Sequence, residues 1–182
     1  MSRPLMPVLA ACFSLVFLTT VEAGQVTIKG SHLCCAACQT RAEKALDGLK
    51  GVSKPTVDRN AKVITFIATD AKAVGIGIAS LAKSGFHGKA THNKKPVAFP
   101  ASGAKKGTRA DTILLHGVHL CCDACVVGAQ LAVQNVKGLK SIEIDREERT
   151  IRLIGTLISQ SEAIAAINRG GFFARIRPPK KK

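Results

Sequence analysis

Apolar and polar positions alternate with two different periods along this chain, and the switches between them come in the same order twice. Val26 and Ile28 alternate with polar neighbours, as do Ile113 and Leu115, and each pair predicts a strand. Ala42, Ala45, Leu46 and Leu49 then recur at helical spacing. Val126, Ala129, Val133 and Val136 do the same further on, with Leu131 and Ala132 between them. Two short alternating runs follow around a polar turn, at Asn60-Ala61 and again at Glu147-Glu148, and read as a hairpin. A second helix is expected over 71–83 and over 159–169. Gly85 and Gly171 sit where helix stops belong. A last strand is expected near 88–92 and near 173–177. The order β-α-β-β-α-β is the split-βαβ arrangement, so the predicted class is α+β: two ferredoxin-like βαββαβ domains in tandem.

Direct self-comparison shows why the pattern doubles. His32-Leu33-Cys34-Cys35-Ala36-Ala37-Cys38 recurs as His119-Leu120-Cys121-Cys122-Asp123-Ala124-Cys125, and Val57-Asp58-Arg59 as Ile144-Asp145-Arg146. Gly85-Phe86 recurs as Gly171-Phe172. The expected units are 24–92 and 111–177. Between them 93–110 is rich in Pro, Gly and Lys, carries five Lys or Arg and no acid, and reads as a basic flexible linker. A basic tail, 178–182, ends the chain.

Residues 1–23 follow different rules. Arg3 precedes an apolar stretch from Leu5 to Leu18, and Val21-Glu22-Ala23 is a small-residue cleavage pattern. The segment reads as a secretory signal peptide. Its apolar core is shorter than the roughly 20 residues of a membrane-spanning helix. An uncleaved anchor and a lipobox ending on Cys12 are the competing readings. Cleavage after Ala23 leaves six of the 7 Cys in a protein placed in the periplasm or cell envelope, where thiols can oxidise.

Those six cysteines carry the candidate chemistry. Cys35 and Cys38, and Cys122 and Cys125, form CxxC pairs at the predicted start of each first helix. Unpaired backbone N–H groups and the helix dipole favour thiolates there. Two soft thiolates on a loop suit a soft ion of low coordination number, with Cu(I) foremost. Here the chain resembles the heavy-metal-associated domain family, which includes copper chaperones, the N-terminal domains of metal-transporting P-type ATPases and the periplasmic mercury-binding protein. The resemblance covers nearly all of 25–92 and 111–177. It implies a ferredoxin-like fold and marks Cys35, Cys38, Cys122 and Cys125 as metal ligands. Where family members often read Gly-Met-Thr-Cys-x-x-Cys, this chain has Leu33 and Leu120 at the Met position and Cys34 and Cys121 at the Thr position.

Several readings stay open for the added residues. Cys34 and Cys121 are either small buried fillers or third thiolates, the latter suiting Zn(II), Cd(II), Hg(II) or a Cu(I) cluster. Neighbouring side chains in an extended loop point to opposite sides, so Cys34 and Cys121 are expected to face away from a two-coordinate Cu(I) site in each unit. His32 and His119 are expected as polar loop residues, with a fourth-ligand role as the alternative. Asp123 fits a helix N-terminal acid. Phe86 and Phe172 are core or lip residues, and the resemblance also implies that they screen the metal loop from water. His87, His92 and His116 are read as surface.

Composition narrows the function classes. Hydrophobic residues are 46% of the chain, as in globular proteins, and the net charge is +15. With no Trp, no Tyr and 7 Phe there is little to stack on bases, so nucleic acid is not an expected partner. The charge favours an acidic metal-transfer partner and allows weak contact with an anionic membrane surface. No Ser/His/Asp set, carboxylate pair or phosphate loop points to an enzyme. The competing functions are a thiol–disulfide redox module and a disulfide-linked interaction domain.

Overall fold

The structure, a computed structural model, describes residues 23–176. The expected signal peptide, apart from Ala23, and the basic tail lie outside the described residues. Among the described residues no helix is long and apolar enough to cross a membrane.

The first unit runs β1 (Gly24–Lys29), α1 (Ala36–Leu46), β2 (Val52–Asp58), β3 (Val63–Ala68), α2 (Ala71–Lys83) and β4 (Lys89–His92). After β5 (Lys95–Val97), the second runs β6 (Arg109–His116), α3 (Asp123–Val133), β7 (Leu139–Asp145), β8 (Thr150–Ser159), α4 (Gln160–Arg169) and β9 (Arg175–Ile176). Strand order is β2-β3-β1-β4-β5 in one sheet and β7-β8-β6-β9 in the other, with antiparallel pairing throughout. Each unit is an α+β ferredoxin-like βαββαβ fold.

Alternation decides which face is buried. Val26 pairs with Phe66 and Ile28 with Ile64, and all four are fully buried under the helices. Ile113 opposite Leu153 and Leu115 opposite Ile151 repeat the layer in the second unit. Asp70 caps α2 by accepting from the Ala73 N–H at 2.8 Å.

The stretch expected as a flexible linker is partly built into the fold. Lys95–Val97 extends the first sheet as β5. Ser102 O accepts from Ile176 N at 2.8 Å, Gln160 Oε1 accepts from Lys105 N, and Thr108 O accepts from Gln160 N. Phe99 stacks near both His87 and Phe173. Alternation continues past the turn at Asn93-Lys94, both at positive φ, so the chain folds back on β4 instead of leaving it.

The two units meet through their matching Gly-Phe turns. Phe86 and Phe172 form an antiparallel bridge. Gly171 O accepts from the backbone N–H of His87 and of His32, both at 3.1 Å, and Gly85 O accepts from that of Phe173 at 2.8 Å. Arg149 spans the junction, donating to Lys83 O of one unit and to Gly117 O and Val118 O of the other.

Candidate metal centre

Both CxxC motifs lie at helix starts. Cys35 is the N-cap of α1 and Cys122 that of α3, in extended conformation, and neither side chain caps the helix. The sulfurs are therefore not locked into a cap of the kind that a Ser or Asp would form, although the Cys125 N–H favours the Cys122 thiolate. Cys38 and Cys125 stand in the first helical turn. Each begins the buried stripe of its helix, Cys38-Ala42-Leu46 and Cys125-Ala129-Val133, which points it inward.

Docking of the units brings the two motifs together. Cys34 Sγ lies 3.6 Å from Cys38 Sγ within its own unit, and 3.6 and 3.5 Å from those of Cys122 and Cys125 in the other. Cys121 mirrors it, at 3.5 Å from Cys125, 3.7 Å from Cys35 and 3.6 Å from Cys38. Cys35–Cys38 and Cys122–Cys125 are separated by 3.5 and 3.7 Å, Cys38–Cys125 by 3.7 Å and Cys35–Cys122 by 3.8 Å. All six cysteines are free thiols. Cys38 and Cys125 are buried, while Cys34 is exposed and Cys35, Cys121 and Cys122 are half-buried.

The expectation that Cys34 and Cys121 face away is therefore corrected. Each turns toward the thiols because the neighbouring unit lies where alternation would otherwise direct it to solvent. The histidines are corrected in the same way. His119 is fully buried, with Nε2 3.3 Å from Cys38 Sγ and its ring 4.5 Å from that of Phe86. His32 stacks on Phe172 at 4.2 Å, over Gly128 of α3, where a side chain would strike the ring. Phe86 and Phe172 are core residues of the junction, each covering the other unit's histidine. His87, read as surface, is half-buried between Phe99 and Phe173, and His92 and His116 are half-buried as well. Asp123 opens α3 and pairs with Arg146 at 2.8 Å, while Arg146 also donates to Cys121 O.

Electrostatics within the group are uneven. A hydrogen bond from the Cys125 thiol pulls Cys38 down to about 2, against the cost of burial and with help from His119. Cys125, the donor, is pushed up by that same bond and by burial. Burial opposes ionisation of Cys122, but the Cys125 N–H and the thiols of Cys34, Cys125 and Cys35 outweigh it and hold Cys122 at about 7. Desolvation raises Cys34 to about 12 and pushes Cys121 up too. Burial lowers His32, which keeps its imidazole neutral. The histidines add ligand atoms: Cys38, Cys121, Cys125 and His119 form one compact set, and His32, Cys34 and Cys125 another, each with its ligand atoms within 4.8 Å of one another.

Sequence reasoning missed the residues that join the units. Gly85 and Gly171 were legible as helix stops, yet each also presses on the other unit's backbone. Arg149 and Gly128 gave no local signal. The one available hint was the repetition of the whole His-Leu-Cys-Cys and Gly-Phe pair, which places like surfaces on both units.

No family model matches the chain. It is 30% identical over 61 residues to heavy metal-associated isoprenylated plant protein 44 of Arabidopsis thaliana, covering 34% of this chain and 33% of that protein. It is 25% identical over 138 residues to heavy metal-associated isoprenylated plant protein 1 of the same plant, covering 68% of this chain and 53% of the relative. The chain thus spans a third to about half the length of these curated relatives. Among solved structures, the N-terminal soluble domains of Bacillus subtilis CopA align over 89% of this chain and 99% of theirs, at 17% identity and a TM-score of 0.33. The HMA domain of the copper chaperone for superoxide dismutase aligns over 47% and 85%, at 19% identity and a TM-score of 0.35. In its paired cysteine motifs, its fold and its relatives, this chain is a tandem of two units that each resemble the heavy-metal-associated domain.

Proposed function

We propose that this is an exported metal-binding protein that takes soft ions, Cu(I) foremost, on Cys35, Cys38, Cys122 and Cys125, and buffers, sequesters or hands them on. The observation that carries the reading is the gathering of six free thiols at two helix starts, none of them used to cap a helix or to form a disulfide. Thiolates are soft ligands and select Cu(I) over hard cations. At neutral pH the low-lying Cys38 supplies a thiolate and Cys122 a partly ionised one, so an ion has fewer protons to displace there. Export is inferred from residues 1–23. A basic chain of net charge +15 suits transfer to an acidic partner protein.

A second reading has its own observation. Cys38, Cys121, Cys125 and His119 make a Cys₃His set, the composition of closed zinc sites. One experiment weighs both: protein purified anaerobically with its thiols reduced is loaded with Cu(I), Zn(II) or Cd(II), challenged with a chelator and assayed for metal. Retention of Cu(I) against a strong chelator, lost when the four CxxC cysteines become serine, is the expected outcome. Retention of Zn(II) or Cd(II) in preference to Cu(I) favours the Cys₃His reading. Failure to hold any of these ions refutes both.

A further inference from the structure

We infer that the two cysteine motifs build one cage, shared between the units, that takes a multi-ion Cu(I) cluster instead of one ion per unit. The inference rests on the soft-metal reading above and concerns how the ions are held.

Geometry is the first argument. With metal–sulfur bonds of ~2.3 Å, two sulfurs bound linearly to one ion stand ~4.6 Å apart, three in a trigonal site ~4.0 Å and four in a tetrahedral site ~3.8 Å. Every sulfur separation given above is 3.5–3.8 Å, including the two CxxC pairs. That spacing suits ions of three or four sulfurs and is too tight for isolated linear pairs. The sulfurs also close into triangles that cross the units. Cys34–Cys38–Cys125 has edges of 3.6, 3.7 and 3.5 Å, and Cys38–Cys121–Cys125 has edges of 3.6, 3.5 and 3.7 Å. Cys34–Cys122–Cys125 and Cys35–Cys38–Cys121 complete the set. Each triangle takes sulfurs from both units. When ions take three sulfurs each and a sulfur bridges two ions on average, six thiolates hold about four Cu(I), with Cys38 and Cys125, which belong to three triangles each, as the main bridges.

The second argument is that the cage is closed by groups other than the sulfurs. The Phe86–Phe172 bridge, the backbone bonds at Gly85 and Gly171 and the crossed His–Phe stacks hold the jaws together. Such an interface presents the six sulfurs already oriented, so little ordering is left for the ions to drive. The third argument is the role it gives Cys34 and Cys121. Each has one sulfur neighbour within its own unit and two across the junction, at 3.6 Å against 3.6 and 3.5 Å for Cys34 and at 3.5 Å against 3.6 and 3.7 Å for Cys121, so a single unit lacks the ligands that would complete its own site.

The test is Cu(I) titration of the reduced protein, purified from the cell, against a chromogenic chelator, with X-ray absorption and the size of the loaded species. About four ions taken up together by a monomer, with three sulfur neighbours and metal–metal scattering, are expected. Cys34→Ser with Cys121→Ser, at sites that are not in the buried core, should cut uptake at least twofold and remove the metal–metal signal. Cys35→Ser with Cys38→Ser should release most ions from the second unit as well. Two ions that bind independently, each surviving loss of the other motif, would overturn the shared cage and leave the soft-metal reading standing. So would a four-ion load that appears only in a dimer. Absence of retained Cu(I) in the unaltered protein would refute both.

Discussion

At the scale of single residues, exposure and reactivity part company among the cysteines. Cys34 is the exposed thiol, yet desolvation by the sulfurs around it raises it to about 12. Cys122 is only half-buried, and donors converging on its sulfur hold it at about 7. The thiolate is the reactive form, so at pH 7 about half of Cys122 is ready to react and almost none of Cys34 is. In metal-stripped, reduced protein, iodoacetamide should therefore label Cys122 ahead of Cys34, as read by peptide mass spectrometry. The sign follows from a lowered value: labelling of Cys122 should fall about tenfold per pH unit below 6 and level off above 8. Faster labelling of Cys34 across that range would contradict this arrangement of donors.

At the scale of elements, α2 carries two glycines with opposite consequences. Gly75 faces solvent, and a Cβ there meets nothing within 4 Å. Gly77 faces the core, and a Cβ there would lie 2.5 Å from the Phe66 ring. Gly75→Ala should stabilise the protein by about 1 kcal/mol through helix propensity. Gly77→Ala should destabilise it by about 1–3 kcal/mol, since Phe66 of β3 is fully buried against this face of α2. Chemical denaturation of the two variants checks both signs. The elements themselves were legible in the sequence. Val26, Ile28, Ile64 and Phe66 alternate because one sheet face is buried, and Ala42 and Leu46 repeat at helical spacing because one helix face is. The strand Lys95–Val97 was not, because its Pro and Lys residues resemble a linker and its partner β4 lies just across a tight turn. Edge strands tolerate such residues, as one side of the strand needs no hydrogen-bonding partner.

At the scale of the whole molecule, the candidate site was half legible. The spacing of Cys35 and Cys38 placed both at a helix start, because that depends on local periodicity alone. The turn of Cys34 and Cys121 toward the other unit, and the burial of His119, depend on residues about 87 positions away in sequence, and no local pattern encodes them. The junction that creates them hangs on Gly171 and Gly85. Gly171 has φ +83, and a Cβ there would sit 2.4 Å from His32 N and 2.5 Å from Gly30 O. Gly30 has nearly the same φ, +80, but a Cβ there meets nothing within 4 Å. The two therefore separate backbone strain from contact between units. Gly30→Ala should cost about 1 kcal/mol, the price of the left-handed conformation alone. Gly171→Ala should cost that and also force the turn off the facing backbone, breaking the bonds that Gly171 O receives from His32 and His87. Small-angle X-ray scattering should then show a larger radius of gyration for Gly171→Ala and an unchanged one for Gly30→Ala. If both variants keep the compact dimensions and lose stability equally, the Gly-Phe turns do not hold the units together.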